Sequence, residues 1–253
     1  MRLRATLQAG VGHSVRKRLR AWTRLVTLTT TEAMPHPFIA HTHAALPPTH
    51  TPESAARAFY DRIRTRRSVR FFSERPVSEE TMRWCVAAAG TAPSGANKQP
   101  WRFVCVRDPG LKHEIRVAAE DEEREFYARR ANPEWLADLA PLETTADKEF
   151  LDAAPWLVIV FKCMKADAGH GSSQVYYANE SVGIAVGLFL AAIHHAGLAA
   201  LTHTPSPMGF LSKVLGRPEH ERAFVVIPVG YPAESCVVPD IHRKGVEEIM
   251  VVR

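Results

Sequence analysis

Apolar positions recur at helical spacing just after residue 50, where Ala55, Ala56, Phe59, Tyr60 and Ile63 share one face. Thr51-Pro52-Glu53 ahead of them offers an N-cap hydroxyl, a proline at the first helical position and an acid in the first turn. A helix is therefore predicted to begin there and to end among the arginines at 64–67. A second helix is predicted from Ser78 to Gly90, with Glu79 and Glu80 in its first turn, and a turn follows at Pro93-Ser94-Gly95. Residues 101–106 alternate and are rich in large apolar side chains, a strand pattern. Asp108-Pro109 opens a third helix predicted to reach Arg130, acidic at its centre (Glu120-Asp121-Glu122-Glu123). The unbroken apolar run 156–161 has the length of a strand buried on both faces. Beyond it the pattern predicts a long helix over 174–196, a strand over 198–204 and a short helix over 207–215 ending at Gly216. A strand over 224–229 and a final apolar element over 249–252 complete the chain. With no repeat and no low-complexity linker, a single α+β domain is expected, its ordered body starting near Thr51.

The run 182–201 approaches the length of a membrane span, but His194-His195 and several glycines interrupt it. A core helix running into a strand fits better. Such a helix, apolar all round, needs cover on every side, which points to a dimer with a shared core.

Composition changes this picture little. Of 253 residues, 46% are hydrophobic and 23% charged, an ordinary balance for a soluble globular protein and not for a disordered or fibrous one. The net charge of +5 is unevenly placed: residues 1–31 hold seven basic side chains and no acid, and the rest of the chain is slightly acidic. A basic surface on the folded body is not implied. Residues 1–36 are expected to be a disordered or non-native basic extension, and residues 37–253 the functional domain. The extension also reads as a transit peptide, as a nucleic-acid arm, or as an upstream-extended start with Met34 the initiator. No segment of it has the pattern of a signal peptide or membrane anchor. Cys85, Cys105, Cys163 and Cys236 are widely spaced, with no metal-ligand spacing, and read as reduced, mostly buried residues of a cytoplasmic protein. The histidines at 36, 41, 43 and 50 lie in a proline-rich lead-in, and no metal site is expected.

Two segments carry candidate chemistry. Arg66-Arg67-Ser68-Val69-Arg70 places three guanidinium forks and a hydroxyl in five residues, donors that match phosphate oxygens. Taken alone, it reads more readily as a solvated basic helix end. Thr91-Ala92-Pro93-Ser94-Gly95-Ala96 is a tight turn of small side chains that would let a flat ligand approach the main chain. Neither a Walker loop nor GxGxxG is present.

Together, in RRSVRFFSERPVSEETMRWCVAAAGTAPSGANKQPWRFVCVRDP from Arg66, the two segments resemble the nitroreductase superfamily of FMN proteins. KEFLDAAPWLVIVFK at 148–162 and PVGYPAESCVVPDIHRKGVEEIMV at 228–251 extend the likeness to most of the body, and within the superfamily the chain is most similar to the iodotyrosine deiodinase (halotyrosine dehalogenase) family. The resemblance implies an α+β nitroreductase-like fold, a central mixed or antiparallel sheet flanked by helices, in an intertwined homodimer. It implies FMN, reduced by NAD(P)H directly or through a partner reductase, and reductive dehalogenation of halotyrosines; the alternative is a general FMN-dependent nitroreductase or other small-molecule flavin reductase. Arg66, Arg67, Ser68 and Arg70 would hold the flavin phosphate and ring edge, and Pro93, Ser94 and Gly95 would pass beside the ring. Thr202 would also contact the cofactor. Thr204 would set its hydroxyl near flavin N5, the contact that in this family separates dehalogenation from hydride-transfer nitroreduction. Arg243 would add a contact across the dimer interface. Glu123, Tyr127 and Lys148 would bind the substrate zwitterion, and the backbone N–H of Ala96 its phenolate. Without the resemblance Glu123 reads as one more acid on a solvated helix, though its spacing puts it on the face of Tyr127. His203, where the family usually has threonine, and Asn97-Lys98-Gln99 depart from its pattern, and the Gly- and Ser-rich loop 165–173 is uninformative. No nucleic-acid or membrane partner is expected.

Overall fold

The computed structural model describes residues 39–42, 44–169 and 171–253. The expected basic extension, Met34, His36 and His43 lie outside the described residues. The chain divides into two compact units, residues 1–49 and 50–253. The described part of the first unit holds no helix or strand. The second comprises α1 (Pro52–Ile63), α2 (Glu79–Gly90), β1 (Trp101–Val106), α3 (Pro109–Glu125), α4 (Pro133–Leu139), α5 (Phe150–Ala153), β2 (Trp156–Cys163), α6 (Ala178–His195), β3 (Ala199–Ala200), α7 (Gly209–Val214), β4 (Glu221–Gly230) and α8 (Val246–Ile249).

The four strands are ordered β1-β2-β4-β3, and every named pair is antiparallel. β2 explains its own apolar run. Its alternate residues Trp156, Val158 and Val160 pack with Met82, Ala89 and Phe189 of α2 and α6. Leu157, Ile159 and Phe161 point the other way, against Ile115 of α3, Leu151 of α5 and Leu211 of α7. Because strand side chains alternate between faces, a strand covered on both must be apolar at every position. Burying each such side chain contributes about 1.5–3 kcal/mol, which makes β2 the spine of the three layers.

Several boundaries differ from the sequence pattern, each for a local reason. The strand expected over 198–204 is a formal pair at Ala199–Ala200 only, because its partner Pro228 has no N–H to return. Leu201 N donates to Pro228 O at 3.4 Å without reciprocation, and the ladder resumes at His203, which exchanges both backbone bonds with Val226 at 2.8 Å. The helix expected from 174 starts at Ala178, since Tyr177 at φ 51° cannot continue helically. α3 stops at Glu125 and widens into a π turn over Phe126–Arg130. α4 is an element absent from the sequence pattern; the Asn132 side chain caps it by accepting from Trp135 N at 2.7 Å. The apolar element expected over 249–252 is instead the last turn of α8 and an exposed extended end. Among the cysteines, expected to be mostly buried, Cys85 and Cys163 are buried but Cys105 is exposed.

α1 starts on a capping box between Thr51 and Ser54, yet buries no residue, leaving Phe59 and Tyr60 exposed. α6 buries Val182, Ala185, Val186, Phe189 and Ile193 but leaves Gly183, Ile184, Gly187 and Leu188 exposed. Among the described residues, the cover this helix is expected to need exists on one side only. Among the described residues no helix is long and apolar enough to cross a membrane.

Candidate functional site

The arginine segment is held extended beside β3. Val69 N donates to Ala200 O at 3.2 Å, and past the arginines Ala233 N donates to Phe71 O at 3.0 Å and Ser73 N to Tyr231 O at 2.9 Å. Arg66 and Arg67 line a cavity of about 490 Å³ with Thr65, Val69 and His194. Ser68 and Arg70 line one of about 320 Å³ with Leu142, Val238 and Pro239. Arg70 also reaches a third, of about 520 Å³, whose walls include Lys148, Thr202 and His203. Arg243 arrives within the same chain, donating to Arg64 O at 2.7 Å and to Arg66 O, while Arg67 donates to Pro239 O. No second chain is needed to bring Arg243 there. Burial, then Arg243, then Arg67 lower the pKa of Arg66, and burial lowers that of Arg70. Among the described residues none of these four arginines has a carboxylate partner within ion-pair distance. Partly buried cations that repel one another and lack a counter-charge fit an anion with several oxygens, such as a phosphate monoester.

Glu123, Tyr127 and Lys148 converge although Lys148 lies far along the chain. Lys148 Nζ stands 3.1 Å from Glu123 Oε2, both side chains being largely buried, and 5.8 Å from the centre of the Tyr127 ring. The same ammonium donates to Thr145 O. The Tyr127 hydroxyl bonds Thr144, at 3.0 Å from its carbonyl oxygen and 2.8 Å from Oγ1. Residues 126–147 thus form an excursion from the end of α3 that returns to α3 at Lys148. A feature missed in the sequence holds that return: Glu120 Oε1 accepts from Lys148 N at 2.7 Å and from Arg116 Nε at 2.7 Å. Burial opposes the charge on Glu120, but these donors outweigh it and keep its carboxyl below the usual range. Arg116 is held in turn by Asp152 at 2.9 Å. Nothing in the acidic run 120–123 distinguishes Glu120; burial does.

His203 lines the third cavity beside Thr202, with Nε2 3.9 Å from Glu123 Oε1. Burial, then the positive charges of Lys148 and Arg70, push its pKa down to about 3, so the ring is neutral. Thr202 and Thr204 are exposed on either side of it.

The turn at 93–99 is strained. Ala96, Asn97 and Gln99 all have positive φ (49°, 52° and 47°), a conformation L-residues hold only when the surroundings impose it. Here Gln99 N donates to Ser94 Oγ at 2.9 Å, Asn97 N to Ser94 O at 3.0 Å, and Lys98 Nζ to Ser172 O at 2.8 Å. Gly95 is obligatory, since a Cβ there would lie 2.9 Å from the backbone oxygen of Tyr176. Pro93, Ser94, Gly95 and Ala96 line none of the cavities that hold the arginines or Lys148. The single chain brings the other candidate groups together around residues 66–70 and 202–204, but not this turn.

Comparison with known proteins identifies the family. Residues 63–231 match the model of the nitroreductase family. An iodotyrosine deiodinase from Haliscomenobacter hydrossis is 52% identical over 200 residues, 79% of this chain and 90% of that protein. Iodotyrosine deiodinase 1 from Homo sapiens is 46% identical over 198 residues, 78% of this chain and 68% of that protein. A crystal structure of oxidized iodotyrosine deiodinase bound to FMN and 3-iodo-L-tyrosine superimposes with a TM-score of 0.65 at 34% identity, covering 77% of this chain and 97% of that one. The chain belongs to the nitroreductase family and, within it, to the iodotyrosine deiodinase family.

Proposed function

We propose that this protein is an FMN-dependent reductive dehalogenase of halotyrosines, with electrons drawn from NAD(P)H directly or through a partner reductase. The observation that carries the reading is the convergence of Glu123, Tyr127 and Lys148 beside the cavity that Arg70, Thr202 and His203 also reach. Bound FMN supplies the reducing equivalents that replace a carbon–halogen bond with carbon–hydrogen, as cofactors carry chemistry that side chains cannot. Arg66, Arg67, Ser68 and Arg70 hold its phosphate and ring edge, Arg243 reinforces them, Thr202 lies alongside, and the Thr204 hydroxyl is assigned to flavin N5. Pro93, Ser94 and Gly95 pass beside the ring.

Glu123 takes the substrate ammonium, Lys148 and Tyr127 its carboxylate, and the Ala96 N–H its phenolate. A zwitterion suits this arrangement because Glu123 and Lys148 already neutralise each other: the substrate replaces the pair one charge for one. Closing of residues 126–147 over it would exclude water. The working unit is a homodimer formed by residues 37–253. Supporting this are the uncovered apolar faces of α1 and α6 and a turn at 93–96 set apart from the remaining site residues. We place the protein in the cytoplasm, with no nucleic-acid or membrane partner.

The test is the absorbance spectrum of the purified protein, followed by dithionite-driven halide release from iodo-, bromo- and chlorotyrosine. A flavin spectrum with halide release is expected. Flavin without halide release, together with NAD(P)H-dependent nitroarene reduction, would favour the general nitroreductase.

A further inference from the structure

We infer that His203 is a positioning residue for substrate binding: its Nε2–H donates to Oε1 of Glu123 and fixes the carboxylate plane while the substrate ammonium occupies Oε2. The inference rests on the halotyrosine reading and extends it to a residue outside the Glu123, Tyr127 and Lys148 set.

Three observations carry it. The ring is mounted on the sheet, since its backbone N–H and C=O both bond Val226 at 2.8 Å, and it packs edge-on against Phe150 at 5.8 Å. Its Nε2 is buried and has no hydrogen-bond partner, an arrangement that folded proteins avoid unless a partner arrives. The group facing it is Glu123 Oε1, at 3.9 Å, about 1 Å beyond hydrogen-bond length. The carboxylate leans toward Lys148, 3.1 Å from its other oxygen. Once Lys148 turns to the substrate carboxylate, that pull is gone and Oε1 can close on the ring.

The nearby carboxylate selects the tautomer with the proton on Nε2, while burial, and after it the charges of Lys148 and Arg70, keep a second proton off the ring. A neutral donor is what the site needs. It orients Glu123 without adding a positive charge that would repel the incoming ammonium, as a lysine or arginine there would.

The experiment titrates the FMN-loaded protein with 3-iodotyrosine and with its des-amino analogue, the iodinated hydroxyphenylpropionate. His203→Leu should raise the Kd for iodotyrosine at least about tenfold, the scale of a lost hydrogen bond to a charged group, and that for the des-amino analogue by less than about twofold. His203→Gln, which keeps a neutral N–H donor, should return iodotyrosine binding to within about threefold of the parent. In a Glu123→Gln background, His203→Leu should add less than about twofold, since the two act through one contact. Equal losses on both ligands, no loss, no rescue by glutamine, or full additivity would each overturn the inference. A Glu123→Gln protein that binds iodotyrosine normally overturns the substrate reading as well. Weakened binding in Glu123→Gln with none in His203→Leu overturns this inference alone.

Discussion

Replacing Ala96 by glycine should make the protein more stable and bind substrate less well. Ala96 sits at φ 49° and ψ 31°, a left-handed conformation that costs an L-residue about 1–2 kcal/mol. Its methyl group is exposed, so removing it sacrifices no packing. Against the relief stands the extra freedom of glycine in the unfolded chain, about 0.5–1 kcal/mol. The difference is a stabilisation of up to about 1.5 kcal/mol, or a rise in Tm of up to roughly 6 °C for a chain of this size. Function should move the other way. The Ala96 amide is assigned to the substrate phenolate, and a glycine no longer holds it at one angle, so iodotyrosine affinity should fall by about three- to tenfold, the equivalent of about 0.6–1.4 kcal/mol. Urea denaturation of the FMN-free protein measures the first effect and quenching of flavin fluorescence by iodotyrosine the second. A destabilisation exceeding about 0.5 kcal/mol would refute the strain argument. A gain in stability with unchanged affinity would refute the role given to the amide.

Three further outcomes are expected. Glu123→Gln leaves the buried Lys148 ammonium without its carboxylate and should weaken iodotyrosine binding by about 2–3 kcal/mol, thirtyfold or more, with FMN affinity unchanged in a parallel titration. Arg66→Ala should raise the FMN dissociation constant about 10- to 100-fold in equilibrium dialysis, yet not destabilise the FMN-free protein, because Arg66 lies among like charges. The third concerns pH. The His203 pKa falls from 6.5 to about 3 on folding, so the unfolded chain binds the extra proton first. Its contribution to stability is therefore complete above about pH 6.5 and lost as pH falls toward 3, with a slope of up to about 1.4 kcal/mol per pH unit. His203→Gln should flatten the stability profile over that window, as read from denaturation midpoints at successive pH values.

How legible these features are in the sequence depends on where their causes lie. β1 is read to the residue because its alternation is local. β3 is misjudged because what shortens it, Pro228, sits on another strand. α4 carries a local signal in Asn132-Pro133, a capping side chain ahead of a proline, whereas the π turn at Phe126 has no signature in residue type. At the site, spacing joins Glu123 to Tyr127, but only the family resemblance adds Lys148, which the fold then delivers to 3.1 Å. The strain at Ala96 is invisible in advance, because alanine is not a residue one expects at positive φ. Glu120 hides among equivalent acids until burial and the Lys148 amide single it out.

The excursion over residues 126–147 leaves α3 at its last turn and is tied back to the same helix through Glu120 and the amide of Lys148. Its two ends therefore share one rigid mount, and no strand of the sheet passes through it. Such a segment can be exchanged as a cassette: doubling or halving its length alters closure entropy by only about 0.6 kcal/mol. Glu123 and Lys148 would stay behind as the socket, Tyr127 would travel with the insert, and the arginines at 66–70 would not be touched. Selectivity for the ring and its halogen could thus drift over evolutionary time, or be grafted from one relative to another, without rebuilding the half of the site proposed to hold the flavin.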